Sequence, residues 1–428
     1  MGQVRDAEIE ALMREFSDPI FEAAGLRPED VRIYVINDPT MNAFVTGGQN
    51  MGLHTGIILT SNTPNELKGV IAHETGHMSG GHLARQSDAM KKAARPMILT
   101  MGLGILAAAA GEPRAAAALM ASAQQFGTLT FFTHSRIQEA AADQAAANFM
   151  EATGQSGKGL IKFYQRFNYG EVMSGSKRYP YFRTHPLSSK RIDSLINEVG
   201  SAPHANAVDS PSDIFRFAMA KAKIIGFLNP QRIQRDYPDE DQSLPAKYAR
   251  AIATYLDADT KQALQKIDEL IKIEPENPYF NELYGQVLFE SGRAKEAISY
   301  HQRAVDLAPK SPLLRLNLAQ AMIATDTKEN LELAYDHLQY VLRLEPDNSF
   351  AWYALSLLHE KAGNIGLAKL ATAEQAYILH DYGRALGFAQ RAKIDLRPNT
   401  PQWRRANDIL LVIAADPRMQ RSIKSGGH

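Results

Sequence analysis

Apolar residues recur at helical spacing behind a clear starting signal. Thr63-Pro64-Asn65-Glu66 supplies a hydroxyl N-cap, a proline at the first helical position and a glutamate to close a capping box. Leu67, Val70, Ile71 and Met78 follow at helical spacing, which predicts a helix from near residue 64 to about Met90. Upstream the pattern shortens. Asn42 to Thr46 and Ile57 to Thr60 are brief, partly β-branched and separated by glycines, so they read as a hairpin. Downstream, Ser135 to Asp143 is alanine-rich and flanked by Phe149 and Met150, a strongly helix-forming run. Between the two helices, Pro96 to Phe132 is membrane-like in composition. Its run Met97 to Ala110 is only 14 residues, contains glycine and ends at Gly111-Glu112-Pro113-Arg114. That is too short to span a bilayer, which needs about 20 residues. A buried or lid-like helical hairpin is the expectation, and the segment leaves room for peripheral membrane contact.

Beyond residue 244, small residues pair twelve apart: Ala251 with Ala263, Gly285 with Ala297, Ser356 with Ala368, and Ala373 with Ala385. Pro275 to Pro309 is 34 residues, the period of tetratricopeptide (TPR) repeats, which stack into a superhelix that binds extended partners or another surface of the same chain. Pro309 to Pro346 is 37 residues, with Ala319 pairing to Ala334, which predicts three extra residues in the turn near Thr325 to Asn330. Ala368 to Ala373 is too short for a full repeat, so the helix around Lys369 to Leu379 is expected to serve two neighbouring units. Loop-forming Gly200-Ser201-Ala202-Pro203 and Asp209-Ser210-Pro211-Ser212, with the acidic turn Asp236 to Asp241, surround a predicted docking helix over Asp213 to Phe227. The organisation expected is a first domain over 1–205, a linker with that helix over 206–244, and a repeat domain over 245–428. The fold class is α+β: a mainly helical domain with a small β-sheet, then an all-α superhelix.

Composition adds exclusions. A chain of 428 residues exceeds one comfortable core, and 45% hydrophobic with 22% charged residues is ordinary globular composition. Forty-seven basic and 47 acidic residues leave no net charge, so no global field favours nucleic acid. The absence of cysteine rules out disulfides and a thiolate metal site. Met1 to Glu8 lacks the apolar stretch of a signal peptide.

The chemistry concentrates in His73-Glu74-Thr75-Gly76-His77, an HExxH sequence inside the first predicted helix. Residues four apart project from one face, so both imidazoles reach one tetrahedral Zn²⁺ while Glu74 stands beside the open position as general base. A catalytic zinc needs a third protein ligand. The pattern HExxHxxGxxH would place it at position 83, which is Leu83; the nearby histidine is His82, one residue early. On a continuing helix His82 lies about 140° around from His77 and about 180° from His73, so it is expected to point away from the metal. A glutamate from a second helix is the other answer. Glu139 and Asp143 are four apart on one face of the alanine-rich helix. One carboxylate can bind zinc while the other anchors a ligand histidine.

HExxH followed some sixty residues later by a helical ExxxD resembles the HtpX and CAAX-prenyl-protease superfamily of gluzincin metallopeptidases. Met41 to Gly48 followed by Gly52 to Thr60 resembles that family's hairpin before the zinc helix, and Arg183-Thr184-His185-Pro186 to Arg191-Ile192 resembles its THPxxxxRI segment. His134 departs from the family pattern, which commonly has tyrosine before Ser-Arg. The resemblance implies one Zn²⁺ per chain held by His73, His77 and Glu139, with Asp143 behind a ligand histidine. A peptide adding to the strand at Asn42, Ala43 and Phe44 gains main-chain hydrogen bonds. His185 either donates to the oxyanion as a catalytic residue or fills the fourth zinc position until substrate arrives, as repeat-bearing relatives suggest. Arg191 either steadies the substrate or holds a carboxylate. The function implied is a zinc endopeptidase hydrolysing misfolded or stalled envelope proteins, with the repeats recruiting unfolded or misassembled substrates or the outer-membrane assembly machinery. The alternative is a chaperone or scaffold whose repeats do the work and whose zinc site is latent or self-inhibited. Relatives of this architecture are exported bacterial proteins, so a periplasmic location is expected, with a leader missing from this sequence.

Overall fold

The computed structural model describes residues 2–82, 98–103, 105–106, 113–167 and 179–425. The chain divides into two compact units, Met1–Leu228 and Asn229–His428.

The first unit is α+β. Four strands, β1 (Gln3–Val4), β2 (Arg32–Ile36), β3 (Ala43–Thr46) and β4 (Asn50–His54), lie in the order β1-β2-β4-β3. The β2–β4 pair is parallel and the others are antiparallel. A hairpin therefore exists, but the partner of β3 is Asn50–His54 rather than Ile57 to Thr60, which belongs to a short helix, α2 (Thr55–Thr60). The reason is steric. Gly52 lies opposite Phe44, and a Cβ there would come within 2.4 Å of the Phe44 ring, so the strand needs a glycine more than a branched side chain. The turn is closed by Gly48 and Gln49 at φ of 81° and 57°. Since β3 ends the strand order, one of its edges has no neighbour among the described strands.

Among the described residues the unit also contains the helices α1 (Ala7–Ala23), α3 (Pro64–Ser79), α4 (Pro113–Ala152), α5 (Lys158–Arg166), α6 (Tyr181–Thr184), α7 (Ser189–Gly200) and α8 (Pro211–Leu228). Helix α3 occupies the middle and packs against α1, α4, α5, α8 and β3. Its start follows the sequence signal, with Thr63 Oγ1 accepting from the Glu66 N–H at 3.2 Å and the Glu66 carboxylate accepting from the Asn62 N–H at 2.8 Å. Leu67, Val70, Ile71 and Ala72 are all fully buried. At about 1.5–3 kcal/mol for each large aliphatic side chain, this burial anchors α3 in the core. Two glycines allow close packing: a Cβ on Gly76 would stand 2.9 Å from the Ala142 carbonyl oxygen of α4, and one on Gly69 would stand 2.8 Å from the Leu160 nitrogen of α5.

Helix α3 is shorter than expected. It is capped at Gly80, and Gly81 takes a positive φ of 62°. The expected continuation towards Met90 falls on residues 83–97, outside those described. The apolar hairpin expected over Pro96 to Phe132 also lies partly outside them; from Pro113 onward the segment is the first half of α4, which runs unbroken to Ala152. No helix among the described residues is long and apolar enough to cross a membrane.

The second unit is a series of antiparallel helix pairs. Ala251, Ala263, Ala297, Ala319, Ala334, Ala373 and Ala385 are all 0% exposed, so the twelve- and fifteen-residue spacings mark where paired helices touch. At Gly285 a Cβ would meet the His301 ring at 2.9 Å, which explains glycine at that contact. The three extra residues lie elsewhere than expected. The turn after Ala324 stays short, with Asp326 at a φ of 56° doing what Gly292 does at 76° one repeat earlier. The second helix of the pair lengthens instead, to 17 residues over Lys328–Leu344 against 14 over Ala294–Leu307. Helix Ile365–Ile378 packs on both Ser349–Lys361 and Tyr382–Asp395, as the compressed spacing implied.

Candidate metal centre

Helix α3 presents His73, Glu74 and His77, at 0%, 0% and 9% exposure, towards α4 and the turn after α6. Because Gly76 lets α4 close in, Glu139 and Asp143 reach the same space, and the single turn α6 delivers His185. The result is a buried group of four donors, His73, His77, Glu139 and His185, each offering an atom within 4.8 Å of the others.

The donor separations are informative. His73 Nε2 lies 3.1 Å from His77 Nε2, 3.2 Å from His185 Nδ1 and 3.5 Å from Glu139 Oε2. Glu139 Oε1 lies 3.3 Å from His77 Nε2, and His185 Nδ1 lies 3.2 Å from each Glu139 oxygen. Donors around a tetrahedral ion with bonds of about 2.0–2.1 Å stand roughly 3.3 Å apart. Three imidazoles and a carboxylate at this spacing fit zinc.

The surrounding groups fix each donor. Asp143 Oδ1 stands 2.9 Å from His73 Nδ1, which directs Nε2 inward. Arg191 grips Asp143 through Nε and Nη2 at 2.6 and 2.8 Å, reaches Glu139 Oε2 through Nη1 at 3.1 Å, and donates to the Pro186 carbonyl at 2.8 Å. Of the two partners left open for Arg191, the structure gives the carboxylate: the guanidinium is buried and engaged, not turned to a substrate. The Tyr164 hydroxyl donates to Asp143 at 3.1 Å. His82 stays outside the four-donor group, as expected, but it is reached by a turn and not along a continuing helix. Its Nδ1 lies 3.0 Å from His77 Nδ1, because the chain turns at Gly80 and Gly81 instead of continuing as helix. A Cβ on Gly80 would stand 2.7 Å from the His82 ring, so this fold-back also depends on glycine.

The electrostatics call for a cation. Burial works against charge on His73, yet hydrogen bonds to Asp143 and Glu139 outweigh it and hold the ring up at about 9. Burial would raise Glu139, but hydrogen bonds from His185, His73 and His77 hold it far below the usual carboxylate range. Burial opposes ionisation of Asp143 as well, and its bonds to Arg191 and His73 overcome this. His77, by contrast, is pushed down by burial.

A pH dependence follows. His73 ordinarily titrates at 6.5 and here at about 9, so in the metal-free protein its charged form contributes stability that is complete below pH 6.5 and lost as pH rises through about 9. A metal ion must displace that proton from the folded protein, so affinity should climb with pH up to about 9 and then level off. Competition titration against a chelator at stepped pH measures this; a flat affinity over the window would contradict it.

Glu74 differs from the other carboxylates. Neither of its oxygens has a hydrogen-bond partner among the described residues, although both are buried, and His185 Nε2 lies 3.4 Å from Oε1. A buried carboxylate left without such partners has lone pairs free to accept a hydrogen bond from a group brought beside it. Asn42, Ala43 and Phe44 lie at and before β3, and the Asn42 carbonyl accepts from the His54 N–H at 3.0 Å. Asn42 Oδ1 is buried without a hydrogen-bond partner among the described residues. Sequence reasoning missed Tyr164 and Tyr181, both fully buried beside the donors; no local pattern marks either.

Comparison with known proteins agrees with this geometry. Residues 3–199 match Peptidase family M48, and residues 288–329 match Tetratricopeptide repeat. The beta-barrel assembly-enhancing protease of Escherichia coli K12 is 26% identical over 298 residues, 68% of this chain and 60% of that protein. A putative beta-barrel assembly-enhancing protease of Vibrio cholerae is 23% identical over 406 residues, 89% of this chain and 80% of that protein. The mitochondrial metalloendopeptidase OMA1 of Schizosaccharomyces pombe is 30% identical over 179 residues, 40% of this chain and 48% of that protein. The chain thus spans about 60% of the Escherichia coli relative. The buried HExxH helix and the glutamate facing it both lie within the segment that matches Peptidase family M48, so this part of the chain is similar to the metallopeptidases of that family and is followed by tetratricopeptide repeats.

Proposed function

We propose that the chain is a zinc endopeptidase of the bacterial envelope whose resting site is closed by its own His185. The observation that carries this reading is the pairing of a four-donor group with a buried Glu74 whose oxygens have no hydrogen-bond partner among the described residues. One zinc ion would be held by His73, His77 and Glu139, and when bound it polarises a carbonyl and lowers the pKa of a water. Glu74 would take a proton from the attacking water and pass it to the leaving amine. Asp143 and Arg191 keep His73 and Glu139 aimed inward. The open edge of β3, beginning at Asn42, Ala43 and Phe44, receives an extended substrate backbone.

His185 at the fourth corner favours the self-inhibited state over immediate oxyanion binding, since a catalytic zinc keeps one position for water. The relatives named for β-barrel assembly suggest a periplasmic location, misassembled or unfolded envelope proteins as substrates, and recruitment of these or of the outer-membrane assembly machinery through the repeats. Metal analysis with casein cleavage, with and without chelator, tests the reading. The zinc-loaded wild type should cleave slowly, and His185→Ala should cleave several-fold faster with zinc retained. A second reading, a scaffold with a latent metal site, takes support from the same fourth donor; it predicts that His185→Ala binds zinc and still leaves casein intact.

A further inference from the structure

His185 is tied to a residue that also holds the segment leading into β3. The ring of Tyr181 stacks on the His185 imidazole, with centroids 4.6 Å apart and planes inclined at 28°. The His185 N–H donates to the Tyr181 carbonyl at 2.8 Å, so the single turn of α6 holds the two as one piece. On its other side the Tyr181 N–H donates to the Met41 carbonyl at 3.3 Å, longer than the usual 2.9–3.0 Å of such bonds. Met41 and Asn42 lead directly into β3. Tyr181 is fully buried, yet its hydroxyl has no hydrogen-bond partner among the described residues. A buried hydroxyl without a partner costs free energy, so the closed arrangement carries a bias against itself.

We propose that Tyr181 is a positioning residue that couples the filling of the β3 edge to the withdrawal of His185 from the metal donors. The inference rests on the reading of His185 as the fourth donor. An extended polypeptide pairing with β3 draws Met41 and Asn42 towards the new strand, and the long Met41–Tyr181 bond yields first. Helix α6 then shifts with its stacked pair, and the imidazole leaves the donor group. Unfolded chains open the site by this route. Folded proteins, which cannot lay a strand along β3, leave it closed.

Zinc transfer from the loaded protein to a chromophoric chelator reads the state of the fourth donor without reference to cleavage. In the Glu74→Gln protein, which binds casein without cutting it, saturating casein should speed transfer several-fold. Adding Tyr181→Leu should give transfer about as fast as casein induces, and casein should then add nothing. Tyr181→Phe keeps the ring and loses the partnerless hydroxyl, so transfer without casein should be equal or slower and the casein response should remain. Tyr181→Leu should have no further effect once His185 is alanine, because both changes remove the same constraint. A casein response that survives Tyr181→Leu, a Tyr181→Phe protein that transfers faster or loses the response, or an undiminished Tyr181→Leu effect in the His185→Ala background would each overturn the coupling. Failure of the underlying reading looks different: His185→Ala alone would then leave zinc transfer unchanged.

Discussion

Glu74→Gln should retain its metal and lose casein cleavage by about 10²–10⁴-fold, the usual weight of a general acid–base group. The substitution preserves shape in a position that is 0% exposed, so packing survives. None of the donors, His73, His77, Glu139 and His185, is altered, and the metal should stay at wild-type stoichiometry. What disappears is the only chemistry Glu74 offers, since an amide does not accept the proton from water. The two carboxylate oxygens have no hydrogen-bond partner among the described residues, which makes removal of the charge structurally cheap. Paired metal analysis and cleavage assays decide it. A Glu74→Gln protein that cleaves at the wild-type rate would place the base elsewhere, and one that has lost its metal would make Glu74 a ligand.

Arg191→Met should be the most destabilising change outside the donors. Arg191 holds Asp143 with two hydrogen bonds at 2.6 and 2.8 Å and Glu139 at 3.1 Å, all three groups being less than 9% exposed. Removing the guanidinium leaves two buried carboxylates facing one cationic histidine. Breaking a buried ion pair by deleting one partner costs about 3–5 kcal/mol, to be read from chemical denaturation of the metal-free protein. Bound zinc neutralises part of the exposed charge, so the deficit should narrow when the metal is added back. Arg191→Lys should recover only part of the loss, because an ammonium cannot reproduce the planar two-bond grip. A deficit under about 1 kcal/mol would mean that the carboxylates reach water or take up protons.

Much of this centre could be read before any fold was known, and the reason is that its parts are local. His73, Glu74 and His77 are spaced by a single helical turn, as are Glu139 and Asp143, and the start of α3 is spelled out by Thr63, Pro64 and Glu66. The failures share a cause of the opposite kind. Ile57 to Thr60 has β-branched residues yet is helical, while the true strand contains Asn50 and Gly52; the decision is made by the Phe44 ring across the hairpin. The contact of His82 with His77 escapes an angular argument that assumes helix beyond Gly80. The role of Arg191 needed the position of Asp143, 48 residues away, and Tyr164 and Tyr181 needed the whole core around them. In the second unit the small-residue spacing located buried contacts at Ala251 and Ala263, Ala319 and Ala334, and Ala373 and Ala385, while Ala368 is only half-buried; it could not say whether three added residues lengthen a turn or a helix, since both leave the period the same.

The helix Ile365–Ile378, which packs on the pairs both before and after it, has a consequence for how this end of the chain comes apart. Leu370, Ala373 and Ala376 share one apolar cluster with Ala385, Ala389, Ala392, Ala406, Ile409 and Ile413. An ordinary array frays from its terminus one repeat at a time, because each interface belongs to only two neighbours. A helix claimed from both sides removes that stepwise route. Amide protons from Ser349 to Ala415 should therefore exchange through a single shared opening, as one foldon.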